Sequence, residues 1–240
     1  MSYHKGMKKV HFKEGPIKGL FITTPHVFSD NRGDFFECYN EQTYVAQGEL
    51  SDFSIGGAFP IFFQDNISTS AKNVVRGLHY QWESPMGKFI QAIKGRLMDV
   101  VVDIRSNSET YGKHFTIELS EENRLQLFIP PGFAHGFVSL EDDTIAHYKC
   151  TACYNAEGES GINPFDDFLN IDWGINKEDA IVSDKDTQSQ SFKSYQEDPK
   201  FKMPVTPEEL PEGLPPEEPS KGEALALEGL LPEGIHGERV

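Results

Sequence analysis

The sequence is short of cysteine, of basic residues and of long apolar runs. Its 240 residues include only three cysteines, an odd number that makes no disulfide framework. Its 22 Lys and Arg stand against 38 Asp and Glu. The resulting net charge of −16 argues against nucleic acid as the main partner, because phosphate binding needs a basic surface. No apolar run reaches the roughly 18 residues of a membrane-spanning helix, and none follows the charged N-terminus as in a signal peptide. We therefore expect a cytoplasmic protein with no membrane partner.

The C-terminal region has few of the aromatic residues that are frequent elsewhere. Residues 201–240 contain seven of the chain's fifteen prolines and nine glutamates, but only three Lys or Arg. Such a segment buries too little apolar surface to offset the entropy of ordering its backbone. We predict one domain over residues 1–195 and an acidic, Pro/Glu-rich disordered tail over residues 196–240.

Residues 15–190 are rich in short segments typical of β-strands. A turn at Lys94-Gly95 separates apolar stretches on either side, and residues 115–119 and 125–129 alternate apolar and polar positions. Further strands are predicted over residues 137–140 and 144–150, and short helices over residues 41–47 and 164–169. Many short strands with Gly, Pro and Asn at the joints indicate an all-β sandwich or barrel.

The first segment whose residues could take part in a reaction is VRGLHYQ, residues 75–81. It places the cation of Arg76 and the imidazole of His79 close together. Histidine ionises near working pH and therefore suits a general base. A single histidine in a β protein is, however, more often a hydrogen-bonded structural residue, so these residues alone leave both interpretations open.

A second segment, IPPGFAHGF over residues 129–137, resembles the second sequence motif of cupin β-barrels. In metal-binding cupins the first motif supplies a His-x-His pair, whereas this chain has His79-Tyr80-Gln81. A transition-metal site usually needs three or four protein ligands, and Cys150 and Cys153 form only a single C-x-x-C pair. We therefore predict a cupin-type jelly-roll barrel, all-β with a few short helices, that holds no metal.

Two weaker signals follow. Tyr148 and Tyr154 lie six residues apart on a predicted extended segment, which would direct both phenols to one face. A phenol can donate a proton or stack on a ring. Asp184, Lys185 and Asp186 form a charged turn that matters only if the fold returns it to His79.

Taken together, the motifs resemble the dTDP-4-dehydrorhamnose 3,5-epimerase family of sugar-nucleotide enzymes. The matching landmarks occur in the family's order: FSDNRG (28–33) with Glu37, QDN (64–66), RGLHYQ (76–81), Lys88, DVVVDIR (99–105), PGFAHGF (131–137), Tyr148-Lys149, ESGI (159–162) and IDW (171–173). The stretch after Trp173 departs from the family pattern, in which a proline usually follows the tryptophan.

The resemblance implies a catalytic role for three residues and a substrate-binding role for eleven. His79 would be the general base, made more basic by Asp186, and Tyr148 the general acid on the opposite face of the sugar. Arg32, Arg76, Lys88 and Lys185 would surround the diphosphate and sugar oxygens. The remaining binding residues would be Glu37, Gln64, Asn66, His135, Glu159, Phe28 and Tyr154, with Phe28 and Tyr154 sandwiching the nucleotide base.

The implied reaction is epimerisation at C3 and C5 of a nucleotide-linked 4-keto-6-deoxy sugar, without a cofactor, in a homodimer that exchanges N-terminal strands. The alternatives are a 3-epimerase or keto-isomerase acting on a related deoxysugar nucleotide, a cupin binding module without chemistry, and a metal-dependent cupin oxygenase.

Overall fold

The computed structural model describes residues 10–46, 60–202 and 224–225, and most of these residues are in strands or in the turns between them. The strands are β1 Val10–Glu14, β2 Phe21–Pro25, β3 Val27–Asp30, β4 Gly33–Phe36, β5 Gln64–Ser70, β6 Val74–Gln81, β7 Lys88–Lys94, β8 Arg96–Asp103, β9 Arg105–Ser106, β10 His114–Ser120, β11 Gln126–Ile129, β12 Phe133–Ser139, β13 Thr144–Cys150, β14 Glu159–Gly161, β15 Ile181–Val182, β16 Phe201–Lys202 and β17 Ala224–Leu225. The predicted β-rich character is confirmed.

The helices are short. They are α1 Glu41–Ala46, α2 Asp184–Thr187 and α3 Phe192–Glu197, with one 3₁₀ turn at Lys177–Asp179. None of these helices has the length and apolar composition needed to cross a membrane. The helix predicted over residues 41–47 is present as α1, although residue 47 itself lies outside the described part of the chain.

The helix predicted over residues 164–169 is wrong, because this stretch forms consecutive turns. The side chain of Asn163 accepts a hydrogen bond from the backbone N–H of Phe165, and that of Asp166 accepts from Phe168 and Leu169. Side chains that bond to nearby backbone N–H groups offer the chain an alternative to the helix.

Two sheets form the jelly roll. The first has the order β1-β2-β11-β7-β13-β5, and the second has the order β14-β6-β12-β8-β10-β17, with β15 running parallel beside β6. Nearly all neighbouring strands are antiparallel, the exceptions being the short pairs made by β15, β16 and β17. The hairpin of β3 and β4 forms a separate two-stranded sheet.

The main apolar core lies between the two sheets. It combines Ile90 and Leu127 from the first sheet with Val101, Phe115 and Phe137 from the second. Burying such side chains contributes about 1.5–3 kcal/mol each. The facing surfaces of the two sheets therefore hold each other at a fixed separation.

The segment after β14 covers the outer face of the second sheet. Trp173, Phe192 and Tyr195 pack there against Val100 and Val102 of β8. This explains the three consecutive valines at residues 100–102 of β8, since the strand is buried on both faces. The hydroxyl of Tyr195 donates a hydrogen bond to the carbonyl oxygen of Ile104, the residue between β8 and β9, at 2.8 Å.

The packed unit extends beyond the predicted domain end at residue 195. That position lies inside α3, and β16 then pairs in parallel with β9. Within the predicted tail, the backbone of β17 pairs with β10 at the edge of the second sheet. The rest of the tail lies outside the described residues, so its predicted disorder stays a prediction.

Strands β6 and β12 approach unusually closely at two glycines. A Cβ on Gly136 would lie 2.5 Å from the carbonyl oxygen of Arg76, and one on Gly77 would lie 2.6 Å from Cα of Gly136. Gly77 also has a φ of +115°, a conformation that side chains disfavour. The register shifts between His135 and Phe137 at this point, and His79 stands directly opposite His135.

Candidate active site

His79 and Asp186 form a hydrogen-bonded pair, and both residues line a cavity inside the barrel. Nε2 of His79 lies 2.7 Å from Oδ1 of Asp186, and the side chains are 26% and 7% exposed. A carboxylate can only accept hydrogen bonds, so the proton of the neutral imidazole resides on Nε2. The lone pair of Nδ1 is then the basic site.

The position of Asp186 is fixed by the short helix α2. The hydroxyl of Ser183 caps this helix by accepting a hydrogen bond from the N–H of Asp186. The other carboxylate oxygen accepts from the backbone N–H of Gly77 at 3.2 Å. Burial would raise the pKa of Asp186, but the hydrogen bonds and the charge of His79 outweigh burial, and the pKa lies below its ordinary value of 3.8. The carboxylate is therefore ionised at neutral pH.

Tyr148 lies on the opposite wall. It belongs to β13 of the first sheet, whereas His79 belongs to β6 of the second, and both side chains line the same cavity. Burial raises the pKa of Tyr148, as do the nearby Cys150 and Glu159, while the charge of Arg76 opposes the shift. The phenol therefore keeps its proton at neutral pH and is available as a donor.

The cavity has two adjoining lobes that share His79, Lys88 and Tyr148. Their volumes are about 420 and 440 Å³, each within the usual range for ligand sites. The first lobe is lined by Arg76, His135, Lys185 and Asp186 among others, and the second by Gln64, Asn66, Cys150, Tyr154 and Glu159 among others.

Lys88 is the cation that both lobes share. It lines the cavity, and within the described ranges no carboxylate forms an ion pair with its ammonium group. Burial lowers the pKa of Lys88, and the nearby Cys150, Glu159 and Asp99 oppose that effect. Arg76 is tied by hydrogen bonds from Nε to the hydroxyl of Ser70 and from Nη2 to a backbone carbonyl.

A polar network borders the second lobe. The carboxylate of Glu159 accepts hydrogen bonds from Lys185 at 2.6 Å and from the phenol of Tyr154 at 3.1 Å. The side-chain oxygen of Gln64 accepts from the N–H of Tyr154, and its amide donates to Asn66. These five predicted binding residues therefore form one connected surface.

His135 lies beside His79 and has its own carboxylate partner. Its Nε2 is 2.8 Å from Oδ2 of Asp99, a fully buried residue of β8. Burial lowers the pKa of His135, as do the neighbouring charges of Lys88 and His79, while Asp99 opposes the shift. His135 is therefore neutral at working pH.

Three predicted binding residues lie away from this cavity within one chain. Phe28 and Arg32 belong to the β3–β4 hairpin, which pairs with neither main sheet. The guanidinium of Arg32 bonds to Asp30, and the carboxylate of Glu37 accepts hydrogen bonds from Asn40 and Thr43. Within one chain, the structure therefore does not bring these three residues to the cavity that His79 lines.

Among the described residues, no group of three His, Cys, Asp or Glu side chains is placed to hold a metal ion. Both cavity histidines instead direct one ring nitrogen to a carboxylate. All three cysteines are free thiols.

Three groups that organise the site are not predicted from the motifs: the capping hydroxyl of Ser183, the N–H of Gly77, and Asp99. Ser183 could have been recognised, because Ser-x-x-Asp is a helix-capping pattern. Asp99 stands within the DVVVDIR landmark, where an acidic residue in an apolar strand is a signal in itself. Only the folded chain reveals the contact of Gly77.

Comparison with known proteins identifies the family. The sequence model described as dTDP-4-dehydrorhamnose 3,5-epimerase matches residues 14–194. The enzyme of that name from Methanothermobacter thermautotrophicus is 42% identical over 198 residues, which cover 81% of this chain and 100% of the relative.

Solved structures agree. The dTDP-4-dehydrorhamnose 3,5-epimerase from Elizabethkingia anophelis has a TM-score of 0.70 and 42% identity, covering 78% of this chain and 98% of its own. The dTDP-6-deoxy-D-glucose-3,5-epimerase from Legionella pneumophila, in complex with dTDP-4-keto-L-rhamnose, has a TM-score of 0.73 and 34% identity, covering 82% and 100%. The expected cupin jelly roll is confirmed, and the chain belongs to the dTDP-4-dehydrorhamnose 3,5-epimerase family.

Proposed function

We propose that this chain epimerises C3 and C5 of a dTDP-linked 4-keto-6-deoxy sugar by removing and returning a proton at each carbon. The observation that carries the proposal is the arrangement of the His79–Asp186 pair and Tyr148 on opposite walls of one cavity. Inversion of a carbon needs a base on one face of the sugar ring and an acid on the other. Two facing sheets supply these positions.

The first step is the removal of a proton next to the ketone. The C4 carbonyl acidifies the C–H bonds at C3 and C5, and Nδ1 of His79 accepts the proton. The electron pair of the broken C–H bond forms the C=C bond of an enolate, and negative charge moves to the carbonyl oxygen. The carboxylate of Asp186 stabilises the imidazolium that results.

The enolate oxygen needs a positive charge or a hydrogen-bond donor beside it. Lys88 is our assignment, because it lines both lobes of the cavity, as do His79 and Tyr148. Electrostatic stabilisation of a developing oxyanion is often the largest contribution to catalysis, and it is strongest where water is excluded.

The second step is the return of a proton from the opposite face. The phenol of Tyr148 donates a proton to the enolate carbon, and the electron pair of the C=C bond forms the new C–H bond. The carbonyl is restored with the carbon inverted. The tyrosinate then regains a proton from solvent, and the imidazolium of His79 releases its proton to solvent.

The nucleotide diphosphate would hold the ring in place. Arg76 and Lys185 are positioned for the diphosphate, and Gln64, Asn66 and Tyr154 for the sugar or base, with Glu159 fixing Lys185 and Tyr154. The overall negative charge does not prevent this, because charges beyond about 10 Å are largely screened at 0.1 M salt. Binding energy from this remote group helps to orient the reacting carbons.

We also infer a homodimer in which the hairpin of one copy reaches the cavity of the other. Three predicted binding residues lie in or just after the β3–β4 hairpin, outside the cavity of their own chain. Phe28 and Phe35 of this hairpin are 47% and 67% exposed, and Ile67 on the edge strand β5 is 68% exposed. A second copy would cover such apolar surface and complete the base-binding site.

His79→Asn is expected to abolish deuterium incorporation at C3 and C5 when dTDP-4-keto-6-deoxyglucose is incubated with the enzyme in D₂O. Loss of a general base costs about 10²–10⁴-fold in rate, while calorimetry should show nucleotide binding retained. The matched control is His11→Asn, an exposed residue of β1. Exchange at either carbon near the wild-type rate would remove His79 from the role of base. The number of deuterons in the wild-type product, two or one, separates a 3,5-epimerase from a 3-epimerase.

Tyr148→Phe is expected to retain exchange at both carbons but to slow inversion by about 10²-fold or more, because the proton then returns only from the face of His79. Exchange and inversion are measured together by NMR of the recovered sugar. Tyr111→Phe is the control, since its buried hydroxyl has no partner among the described residues and lies outside the cavity. Equal loss of exchange and inversion would assign Tyr148 a different role.

Asp186→Asn is expected to lower kcat by about 10²–10⁴-fold, because the imidazolium loses its counter-charge. The pKa of Asp186 is lowered on folding, so the carboxylate contributes stability above the unfolded value, and this contribution is lost as pH falls through the folded value. The difference in unfolding free energy between wild type and variant should therefore be full at neutral pH and shrink in acid below about pH 4.

Denaturant melts at several pH values measure this difference in stability. Asp184→Asn in the same helix is the control, because Asp184 is exposed and its side chain contacts neither His79 nor Gly77. A stability difference that stays constant between neutral and acidic pH would show that the native carboxylate does not provide the stabilisation.

Mixing two inactive variants tests the exchanged hairpin. One chain carries His79→Asn and the other carries Phe28→Ala with Arg32→Ala. If each site combines the cavity of one copy with the hairpin of the other, a random mixture of the co-expressed chains should regain about a quarter of wild-type activity, since half the dimers hold one intact site. Light scattering gives the mass of the assembly. Lack of recovery in a mixed dimer would place the hairpin at its own cavity.

A further inference from the structure

Asp99 is an ionisable residue in the apolar interior of the barrel. It lies on the face of β8 that points to the core, where its strand neighbours on the same face are the buried Leu97 and Val101. Its side chain is completely buried. Burying a carboxylate without partners costs folding free energy, so the contacts of Asp99 indicate its role.

The one side chain that bonds to Asp99 among the described residues is His135. Oδ2 of the carboxylate meets Nε2 of the ring at 2.8 Å, while Oδ1 is buried and has no hydrogen-bond partner in the described part of the chain. Val101 is the partner of His135 across the strand pair, and His79 is the partner on the other side. The imidazole of His135 thus stands between the apolar core and the base.

This contact fixes which nitrogen of His135 carries the proton. A carboxylate accepts but does not donate, so the proton of the neutral ring resides on Nε2 and the lone pair on Nδ1. Burial and the charges of Lys88 and His79 lower the pKa of His135, which favours the neutral ring. The ring lines the cavity, and the nitrogen not held by Asp99 is therefore the one available to a ligand.

We propose that Asp99 is a positioning residue for the substrate: it holds His135 as the neutral Nε2–H tautomer, so that Nδ1 accepts a hydrogen bond from a ring hydroxyl of the bound sugar. The inference rests on the proposed function for the identity of the ligand. It assigns His135 the role of acceptor, whereas its neighbour Lys88 can only donate. A pocket that offers both a hydrogen-bond acceptor and a donor next to His79 orients a sugar more strictly than a ring of cations does.

The first test is the tautomer in the free protein. Long-range ¹H–¹⁵N NMR of histidine-labelled protein should show His135 protonated on Nε2 alone at pH 7–8. Asp99→Asn should add the Nδ1–H form, because the amide can donate to Nε2 where the carboxylate could not. His114, a second buried histidine on β10, should not change. An imidazolium or an Nδ1–H ring in the native protein would overturn the proposal.

The second test uses two substrate analogues, dTDP-4-keto-6-deoxyglucose lacking the 2-hydroxyl and the same compound lacking the 3-hydroxyl. Removing the hydroxyl that donates a hydrogen bond to His135 should lower kcat/KM for exchange at C5 by about tenfold in the wild type. In Asp99→Asn the same removal should change it less than about threefold. If neither analogue is more sensitive in the wild type than in the variant, no sugar hydroxyl bonds to His135.

Val101→Ala is the matched structural control. Val101 faces the same interior and stands opposite His135, but it carries no polar group. It should lower the melting temperature while leaving the tautomer and the analogue ratios as in the wild type. If Asp99→Asn does not fold, His135→Leu replaces it in the analogue comparison, and the native tautomer still decides. Absence of turnover in the native protein with an Nε2–H ring would contradict the epimerase proposal and leave the tautomer assignment standing.

Discussion

The close approach of β6 and β12 is the constraint on which the site depends. Gly77 and Gly136 let the two backbones meet where any side chain would collide. That contact places His79 opposite His135 and directs the N–H of Gly77 to the carboxylate of Asp186. A backbone feature without side chains thus positions His79, orients Asp186 and sets His135 beside them.

The two His–Asp pairs show how one strand pair gives similar groups different tasks. His79 remains partly exposed to the cavity, and its carboxylate comes from a capped surface helix. His135 is buried to a greater depth, and its carboxylate comes from the core strand β8. Environment separates the two rings, because desolvation disfavours the imidazolium at the deeper position. Each ring also uses one nitrogen for a carboxylate, which leaves a single nitrogen per ring for the substrate.

Much of the fold was predictable, because strand periodicity reports directly which face is buried. The alternating residues 115–119 became part of β10, and the continuous apolar run near Val101 became a strand buried on both faces. Residues 164–169 were not predictable from propensity, since two Asx side chains bond the backbone N–H groups that a helix would use. The roles proposed for His79, Asp186 and Tyr148 rest on the family resemblance. The spacing of residues alone left His79 undecided between a base and a structural residue.

Contacts between residues far apart in the sequence could not be predicted. Gly77 and Asp186 are 109 positions apart, and no local pattern links them. The same applies to the hairpin residues Phe28 and Arg32, because their hairpin pairs with neither of the sheets that line the cavity.

The apolar core is itself part of the catalytic geometry. His79 and Tyr148 belong to different sheets, so the distance between the proposed base and acid depends on the separation at which the core holds those sheets. Reacting atoms must come within about 3–3.5 Å, and a displacement of 1 Å can cost about 10²-fold in rate. Protein cores are packed as densely as organic crystals and deform little. Ile90 and Phe137 belong to the core between the two sheets. Such residues therefore constrain the distance between His79 and Tyr148 as firmly as the polar residues constrain the position of the proposed sugar substrate.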